Sequence, residues 1–344
     1  MQNTKTSKKP TIKDIARILG VSSVAVSRAL RDEKDISAAL KKEVRRVANE
    51  VGYIANASAR NLASKKPVQN IGMIVPSIGI ETAYNEVFKA ISTKAAQKGR
   101  AVFLGVSDRS EALERKYCVA MCENRVGAII MAPITSEIEA LKAVCRQDIP
   151  LIFVGGKVDN EPYCVMLNYR ASARKAVDHL HELGHRSIAL FLYHPENNTI
   201  KQKREGYISA MQRHGLEPIV YSHGTSDNTY DAGSELILQL IQEGRLPTAI
   251  WCASDLMAMG VIDTLKNEGY RVPQDVSVVG HDNLHFGRFG SYNLTTFDAP
   301  KAEIGETAIN IALFLMDELE APVSTNVQFE CELIVRGSSG PVKL

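Results

Sequence analysis

Apolar residues recur at intervals of three and four near the start of the chain, which is the spacing of one helix face. The pattern predicts three helices, over residues 12–19, 22–30 and 37–51. Gly20 follows the first helix, and glycine readily takes the left-handed conformation that ends a helix. The turn Gly20-Val21-Ser22 is short enough to set two helices nearly at right angles, as in a helix-turn-helix. We therefore predict an all-α unit over residues 11–55, called the head below.

The pattern changes from residue 70, where short apolar runs alternate with amphipathic stretches of helical length. The predicted strands span residues 71–75, 101–106, 126–131, 150–154, 163–167, 187–192, 217–221, 248–252, 276–280 and 294–297. The predicted helices span residues 81–98, 110–125, 136–147, 171–183, 201–214, 230–243, 255–268 and 301–319. Repeated strand-helix units indicate parallel sheets with helices on both faces. This segment is long for one sheet, so we predict an α/β body of two Rossmann-like lobes over residues 68–340.

The composition of the 344-residue chain is that of a globular protein, with 45% hydrophobic and 23% charged residues. Its apolar runs are much shorter than the roughly 20 residues that a membrane helix needs. Residues 1–10 are basic without a following apolar segment, so we predict a flexible arm and not a secretory signal. Six cysteines without a CxxC motif indicate free thiols in a reducing compartment. We therefore expect a cytoplasmic protein with no membrane partner.

Charge divides the chain into two unlike parts. Residues 1–66 carry 15 Lys and Arg against 6 Asp and Glu, a net charge of +9, whereas the remainder carries 26 against 33, a net charge of −7. A basic segment with a regular apolar face indicates a folded unit that meets a polyanion. Double-stranded DNA is the polyanion that a helix-turn-helix fits. The alternative is a peripheral three-helix unit without a ligand.

The outward positions of the second helix are small or basic. Arg28 can donate two hydrogen bonds to a guanine edge, and short side chains around it permit close approach to a groove. Thr11 and Ser22 lie at the starts of the first two helices, where free backbone amides can meet phosphate. The head residues predicted to contact DNA are Thr11, Ser22, Ser23, Val24, Ser27 and Arg28.

Motifs of catalysis are missing or incomplete in the sequence. Residues 181–185 read HExxH, the pattern of zinc proteases, but Gly184 indicates that the helix ends before His185. Cys118 and Cys122 lie four residues apart without the further ligands that zinc needs. The sequence contains no GxSxG, P-loop or GxGxxG motif. We predict no enzyme activity, no metal site and no cofactor.

Several spaced motifs together resemble the LacI/GalR (lactose repressor/galactose repressor) family of bacterial transcription factors, over nearly the whole chain after residue 10. The motifs of the head are Thr11-Ile-Lys-Asp-Ile-Ala16, Gly20-Val21-Ser22, Val26-Ser27-Arg28 and Val51-Gly52-Tyr53. Those of the body are Ile71-Gly-Met-Ile-Val-Pro76, His179-Leu-His-Glu-Leu-Gly-His185, Ser254-Asp-Leu-Met-Ala-Met-Gly260, Val278-Val-Gly-His-Asp282 and Leu294-Thr-Thr296. The resemblance implies a DNA-binding transcriptional regulator, expected to be a repressor, with a periplasmic-binding-protein-like body.

The resemblance also implies how the chain meets DNA. Family members are homodimers whose two heads read the half-sites of a near-palindromic operator, because two-fold symmetry in the protein matches that of the DNA. Residues 56–67 would form a hinge helix or linker, in which Leu62 wedges between base steps. Asn56 and Arg60 are the further hinge residues implied to contact DNA. No heptad-bearing helix follows Arg336, so we expect a dimer and not a tetramer.

For the body, the resemblance implies that two lobes close around a small effector. The lobes are expected to comprise residues 68–167 with 298–324, and residues 168–297 with 325–340. The residues expected to line the effector site are Tyr84, Asp108, Lys157, Lys203, Asp255 and Asp282. Asp255 and Asp282 each follow a predicted strand, and each has an alternative role as a cap of the next helix or loop.

Some of these positions depart from the family pattern. Lys203 stands where the family usually has an arginine, so a two-pronged grip is lost. Gly155-Gly156 and Asn168 stand where an aspartate is frequent. Fewer acidic groups together with Lys157 make the site more positive, so we expect a carbohydrate-type effector that is anionic, such as a sugar acid or sugar phosphate. A stand-alone sugar-binding module and an α/β hydrolase are the alternative functions.

Overall fold

The computed structural model describes residues 10–53, 69–79, 84–135, 137–145, 149–156, 158, 160–193, 198–224, 229–290, 292–317 and 319–343. The chain divides into two compact units, Met1–Val68 and Gln69–Leu344. The first unit contains the head and the second contains the body. Among the described residues, no helix combines the length and the apolar character needed to cross a membrane.

The described part of the head contains three helices, which match the predicted ones to within two residues. They are α1 (Ile12–Leu19), α2 (Ser23–Leu30) and α3 (Ala38–Glu50). The Oγ of Ser22 accepts a hydrogen bond from Ala25 N at 3.1 Å, and this satisfies one of the free amides at the start of α2. Gly20 ends α1 at φ 65°, in the left-handed region that glycine adopts without strain.

A small apolar core holds these three helices together. Its fully buried residues come from all three helices and include Ile15, Val26, Ala29, Val44 and Val47. They lie three or four positions apart within each helix, so the helix faces that the sequence predicted are the ones that pack.

The first lobe of the body is built on a six-stranded, wholly parallel sheet. Its strands are β1 (Ile71–Val75), β2 (Val102–Val106), β3 (Ala128–Met131), β4 (Leu151–Gly155), β5 (Cys164–Leu167) and β11 (Asn326–Phe329), in the order β11-β5-β4-β3-β1-β2. The helices α4 (Tyr84–Gln97) and α11 (Lys301–Leu315) cover one face, and α5 (Glu111–Glu123) and α6 (Ile138–Val144) cover the other. Because both faces are covered, the central strands are apolar at nearly every position.

The second lobe repeats this arrangement on a four-stranded parallel sheet. Its strands are β6 (Ile188–Tyr193), β7 (Ile219–His223), β8 (Ala249–Cys252) and β9 (Ser277–Val279), in the order β7-β6-β8-β9. One face packs on α7 (Tyr169–Glu182) and α8 (Asn198–Arg213), and the other packs on α9 (Thr229–Gln242) and α10 (Asp255–Asn267). The two predicted Rossmann-like lobes are therefore present.

Near its end the chain passes between the lobes more than once. The expected lobe boundary before residue 325 is wrong. The strand β11 pairs with β5 of the first sheet, although residues 325–340 were expected to lie wholly in the second lobe. The following strand β12 (Glu332–Ile334) pairs antiparallel with β10 (Thr296–Asp298). Since Asn326 and Gln328 are exposed and alternate with partly buried residues, β11 lacks the continuous apolar run by which the other strands were predicted.

Candidate functional site

The outward face of α2 carries short side chains that are exposed or half-buried. Ser23 is exposed and Val24 is 65% exposed, although valine is an apolar side chain. The side chain of Ser27 accepts a hydrogen bond from Arg31 Nη1 at 2.6 Å. At the start of α1, both the backbone N–H and the hydroxyl of Thr11 donate to Asp14 Oδ2, at 3.0 and 2.7 Å.

The guanidinium of Arg28 has two acidic partners in the loop between α2 and α3. Its Nε donates to Glu33 Oε2 at 2.7 Å, and its Nη2 donates to Asp35 Oδ2. The hydrogen bond from Arg28 lowers the pKa of Glu33, and the same contact raises the pKa of Arg28. The side chain of Arg28 is still 40% exposed, so the group predicted to meet guanine lies at the surface in an ion-paired state.

Four of the predicted site residues lie outside the described residues: Asn56, Arg60, Leu62 and Lys157. Their predicted roles therefore rest on the sequence alone.

In the body, Lys203 lies on α8 and is only 2% exposed. Its Nζ donates to the backbone oxygen of Ala253 at 2.6 Å and lies 5.1 Å from the ring centroid of Tyr169. Burial lowers the pKa of Lys203, and the carboxylate of Asp282 opposes that shift. The lysine is thus a buried donor at the edge of the second lobe, held by a carbonyl and an aromatic face.

Asp282 follows β9 in a conformation with φ 127°, which is rare for a residue other than glycine. Its Oδ1 lies 3.1 Å from Nδ1 of the preceding His281, whose ring packs against Tyr169 and Phe297. Burial lowers the pKa of His281 to about 4, and the nearby Lys203 ammonium acts in the same direction. A buried, neutral imidazole therefore lies directly beside the carboxylate that was predicted to bind effector.

Tyrosines of both lobes converge on the same place. Burial raises the pKa of Tyr84 to about 12, with a further contribution from the charge of Asp282. The pKa of Tyr193 is raised by the same two causes, and the Arg109 guanidinium opposes the shift at both hydroxyls. Tyr84 of the first lobe and Tyr193 of the second therefore lie within electrostatic reach of the same carboxylate and the same guanidinium.

The lobes also approach one another through glycines at the end of β4. A Cβ atom on Gly156 would lie 3.2 Å from Thr199 Oγ1 of the second lobe, and one on Gly155 would lie 3.8 Å from the hydroxyl of Tyr84. Asp108, in contrast, is exposed at the end of β2 at φ 47°. Lys203, Asp282 and Tyr84 are thus brought together, and Asp108 follows β2 as an exposed residue.

Asp255 does not present a free carboxylate to this place, which corrects the expectation that it contacts effector. Its Oδ2 accepts a hydrogen bond from Leu284 N at 2.7 Å, and its Oδ1 accepts one from Thr296 Oγ1 at 2.5 Å. Burial, and then the charge of Asp282, raises the pKa of Asp255 to about 7. Both of its oxygens are used to hold a loop and a strand of the second lobe, which is the alternative role as a cap.

Sequence reasoning missed Tyr169, Tyr193, His281 and Arg109 in the body. Each lies at the end of a strand or the start of a helix, and three of them have their ring or charge within reach of Asp282. The ends of parallel strands are where α/β proteins bind ligands, so position along the predicted strands was an available signal. For Glu33 and Asp35, the two acids beside Arg28, the only available signal was weaker: they are acidic residues in a basic segment.

The two histidines of the HExxH pattern have different surroundings. The helix α7 ends at Glu182, and the ring of His181 stacks on His214 with 4.0 Å between centroids. His185 is buried and lies within 3.1 Å of the hydroxyls of Thr248 and Ser277. Among the described residues, no group of three or more His, Cys, Asp and Glu side chains is arranged to hold a metal ion.

Comparison with known proteins recovers both parts of the chain. Residues 11–56 match the family of bacterial regulatory proteins called the lacI family, and residues 177–339 match a periplasmic binding protein-like domain. The HTH-type transcriptional repressor CytR of Escherichia coli (strain K12) is 30% identical over 339 residues, which are 96% of each protein. The HTH-type transcriptional repressor PurR of Actinobacillus pleuropneumoniae serotype 3 (strain JL03) is 29% identical over 335 residues, 95% of this chain and 98% of that protein.

A solved structure agrees with these relatives. The crystal structure of the lac repressor dimer bound to operator and the anti-inducer ONPF matches with a TM-score of 0.85 at 25% identity, covering 97% of this chain and 100% of that chain. The comparisons confirm the predicted fold class, and they confirm a DNA-binding transcriptional regulator in place of an enzyme. The chain belongs to the lacI family of bacterial regulatory proteins.

Proposed function

We propose that the chain represses transcription as a homodimer whose two heads bind a near-palindromic operator. The observation that carries this proposal is the outward face of α2, where exposed short side chains surround Arg28. Short side chains permit a helix to approach base edges, and arginine is the side chain that most often pairs with guanine. We further propose that the protein acts in the cytoplasm, where a bacterial operator lies.

The proposed DNA contacts fall into three groups. Arg28, with Ser23, Val24 and Ser27 beside it, would meet base edges, whereas Thr11 and Ser22, at the starts of α1 and α2, would meet phosphates. Asn56, Arg60 and Leu62 would act from a hinge over residues 56–67, which joins the head over residues 11–55 to the body. An arm over residues 1–10 would precede the head.

This proposal is tested by a gel shift with DNA from upstream of the protein's own gene. We expect a shifted band, a footprint of two half-sites related by two-fold symmetry, and an affinity that falls steeply as salt is raised. Binding without preference over random duplex, with or without metabolites, would contradict the proposal. Sedimentation is expected to give a dimer, and a tetramer would contradict the proposed assembly.

We propose that the effector binds between the lobes and is an anionic carbohydrate such as a sugar acid or sugar phosphate. Lys203 and Arg109 supply two positive charges near one carboxylate, that of Asp282, which supports an anionic ligand. The aromatic side chain of Tyr84 is available to contact a sugar ring. Lys157 and Asp108 are proposed to line the same site. Asp255 is proposed to position the loop that follows Asp282 and not to touch the effector.

Effector control would follow from different affinities for two states of the body. A ligand that contacts Tyr84 in one lobe and Lys203 and Asp282 in the other binds the closed state more tightly, and closure would change how the two hinges of a dimer lie together. A stand-alone sugar-binding module would lack this coupling. We therefore expect effector to change operator affinity in the intact protein.

Calorimetric titration with a sugar acid and its neutral parent tests the effector class. We expect the sugar acid to bind more tightly than its neutral parent. Lys203→Met is expected to weaken binding of the sugar acid by about 2 kcal/mol, the order of one charge-assisted hydrogen bond. Lys98→Met is the control, because Lys98 is exposed in the first lobe. Tight binding of the neutral sugar with none of its acid would contradict an anionic effector.

A further inference from the structure

The loop between α2 and α3 is acidic, although it lies beside the surface proposed to meet DNA. Asp32, Glu33 and Asp35 all fall within the six residues that separate Leu30 from Ser37. Each carboxylate near DNA repels phosphates, so these residues lower rather than raise general affinity for a duplex. Two of the three are bonded to Arg28, and this contact suggests what they contribute.

The backbone of the loop fixes where these acids lie. Asp32 adopts a left-handed conformation with φ 60°, and this turn returns the chain so that Glu33 N donates to Arg28 O at 3.2 Å. Ile36 then packs against the core of the head, and Ser37 caps α3 through a hydrogen bond from Leu40 N at 3.3 Å. Glu33 and Asp35 are therefore held on a turn that is tied down at both ends.

The two acids accept hydrogen bonds from two of the three nitrogens of the Arg28 guanidinium. Nε donates to Glu33 and Nη2 donates to Asp35, and these two nitrogens form the side edge of the planar group. Guanidinium has five N–H donors, so three remain, two on Nη1 and one on Nη2. Among the residues that the structure describes, none accepts a hydrogen bond from Nη1.

A second layer of contacts holds Glu33 itself. Its other oxygen, Oε1, accepts from Arg31 Nε at 2.8 Å, and Arg31 Nη1 donates to Ser27 Oγ at 2.6 Å. The carboxylate of Glu33 therefore accepts hydrogen bonds from two arginines, Arg28 within α2 and Arg31 at its end. This arrangement resists rotation of Glu33 away from Arg28.

We propose that Glu33 and Asp35 are positioning residues that orient Arg28 for guanine, by holding its Nε–Nη2 edge and leaving its Nη1–Nη2 edge to meet guanine O6 and N7. The inference rests on the proposed function of Arg28 as a base contact. An arginine that is already oriented loses less freedom when it binds. The two carboxylates also offset its charge, so it contributes base preference more than attraction to phosphate.

The test compares two double variants that change the charge of the head equally. Glu33→Gln with Asp35→Asn removes both partners of Arg28, whereas Glu43→Gln with Glu50→Gln removes the two partners of Arg46 on α3. Binding-site selection with the unaltered protein first identifies a guanine in each half-site whose replacement weakens binding. Affinities of both variants are then measured, in the full chain at one salt concentration, for the selected duplex and for a duplex with that guanine replaced.

The preference for guanine, taken as the ratio of the two affinities, is expected to fall about tenfold in the variant that frees Arg28 and to stay within twofold in the control. Both variants are expected to bind random duplex more tightly, because each loses two negative charges. An unchanged ratio in both would overturn the proposal, since the acids would then act only through charge. An equal fall in both would overturn it as well.

A cycle with Arg28→Ala separates positioning from a structural role. If the acids act through Arg28, then adding Glu33→Gln and Asp35→Asn to Arg28→Ala leaves the guanine preference where Arg28→Ala alone puts it. A further fall would overturn the proposal. Should the double variant lose helical circular dichroism, each single variant carries the same expectation with a smaller fall. An unaltered protein that prefers no duplex would instead contradict the proposed function.

Discussion

The head and the body each contain a cation that is proposed to contact a ligand, and they hold it in opposite ways. Arg28 of the head is 40% exposed and is bonded to two carboxylates within seven residues along the chain. Lys203 of the body is 2% exposed and donates to a carbonyl 50 residues away. An exposed arginine keeps its charge and needs orientation, whereas a buried lysine is already oriented and its charge is opposed by desolvation.

This difference follows from how each region is built. The head is local, because its helices, its core and the partners of Arg28 all lie between residues 11 and 53. The body assembles its site from strand ends and helix starts that are distant in sequence, with Tyr84 and Asp282 almost 200 residues apart. A change in the head should therefore alter a contact with DNA and little else, whereas a change in the body should alter both binding and folding.

The largest effect on stability is expected at Asp255, whose buried carboxylate accepts hydrogen bonds from two distant residues. Asp255→Ala would leave the buried Leu284 N–H and Thr296 hydroxyl without their acceptor, so we expect the free energy of unfolding to fall by about 3 kcal/mol. Denaturant unfolding followed by the fluorescence of Trp251, the only tryptophan of the chain, measures this, because Trp251 is fully buried on β8.

Glu303→Ala is the matched control for Asp255→Ala. Glu303 is an exposed carboxylate in the first turn of α11, and its loss should change the free energy of unfolding by less than about 0.5 kcal/mol. Equal stabilities of the two variants would show that Asp255 does not hold the second lobe together. The structural role assigned to it would then be wrong.

The sequence was sufficient for most of the fold because patterning there is local and repeated. The helices of the head and nearly all strands of the body match within a few residues, since periodic burial fixes both. The strand β11 was missed, because its burial alternates at a sheet edge and its partner β5 lies about 160 residues earlier. The helix α7 begins two residues before its predicted start, because Asn168 Oδ1 caps it through Ala171 N at 3.0 Å.

The candidate site was less predictable, and two aspartates show why. Asp255 and Asp282 both follow strands of the second sheet, so the sequence gives them the same expected role. The structure separates them, because Asp255 is fully enclosed by Leu284 and Thr296 whereas the side chain of Asp282 is 31% exposed beside His281. Leu284 and Thr296 lie 29 and 41 residues after Asp255, and a periodic sequence pattern does not predict contacts at that separation.

In the head, Arg28→Ala is expected to act on recognition alone. The preference for one base pair in each half-site should fall by about 1–3 kcal/mol, because a two-pronged contact to guanine is lost. The stability of the body, followed through Trp251, should not change. Binding-site selection measures the preference, and Arg46→Ala on α3 is the control because its partners Glu43 and Glu50 are also acidic and exposed. A preference that survives Arg28→Ala would remove Arg28 from the base contacts.

The smallest net effect in the unaltered protein comes from a pair of opposed pH dependences in the body. Asp255 has a pKa of about 7 in the folded protein against an ordinary value of 3.8, so the folded state holds the extra proton and stability falls as pH rises from about 4 to about 7. His281 has a pKa of about 4 against an ordinary value of 6.5, so the unfolded state holds the extra proton and stability rises from about pH 4 to about pH 6.5. In the unaltered protein the two contributions offset each other over the shared range.

Removing one group should therefore expose the other. We expect His281→Phe to make the free energy of unfolding fall more steeply between pH 4.5 and 6.5 than in the unaltered protein, and Asp255→Asn to make it rise, since each leaves one pKa shift unopposed. Denaturant unfolding followed by Trp251 fluorescence at several pH values gives both slopes. His285→Phe is the control, because His285 is exposed in the loop after Asp282 and should leave the slope as it is. Slopes that shift in the same direction in both variants would contradict opposed titrations. Burial would then not explain why the charged groups of the body behave differently from the exposed Arg28 of the head.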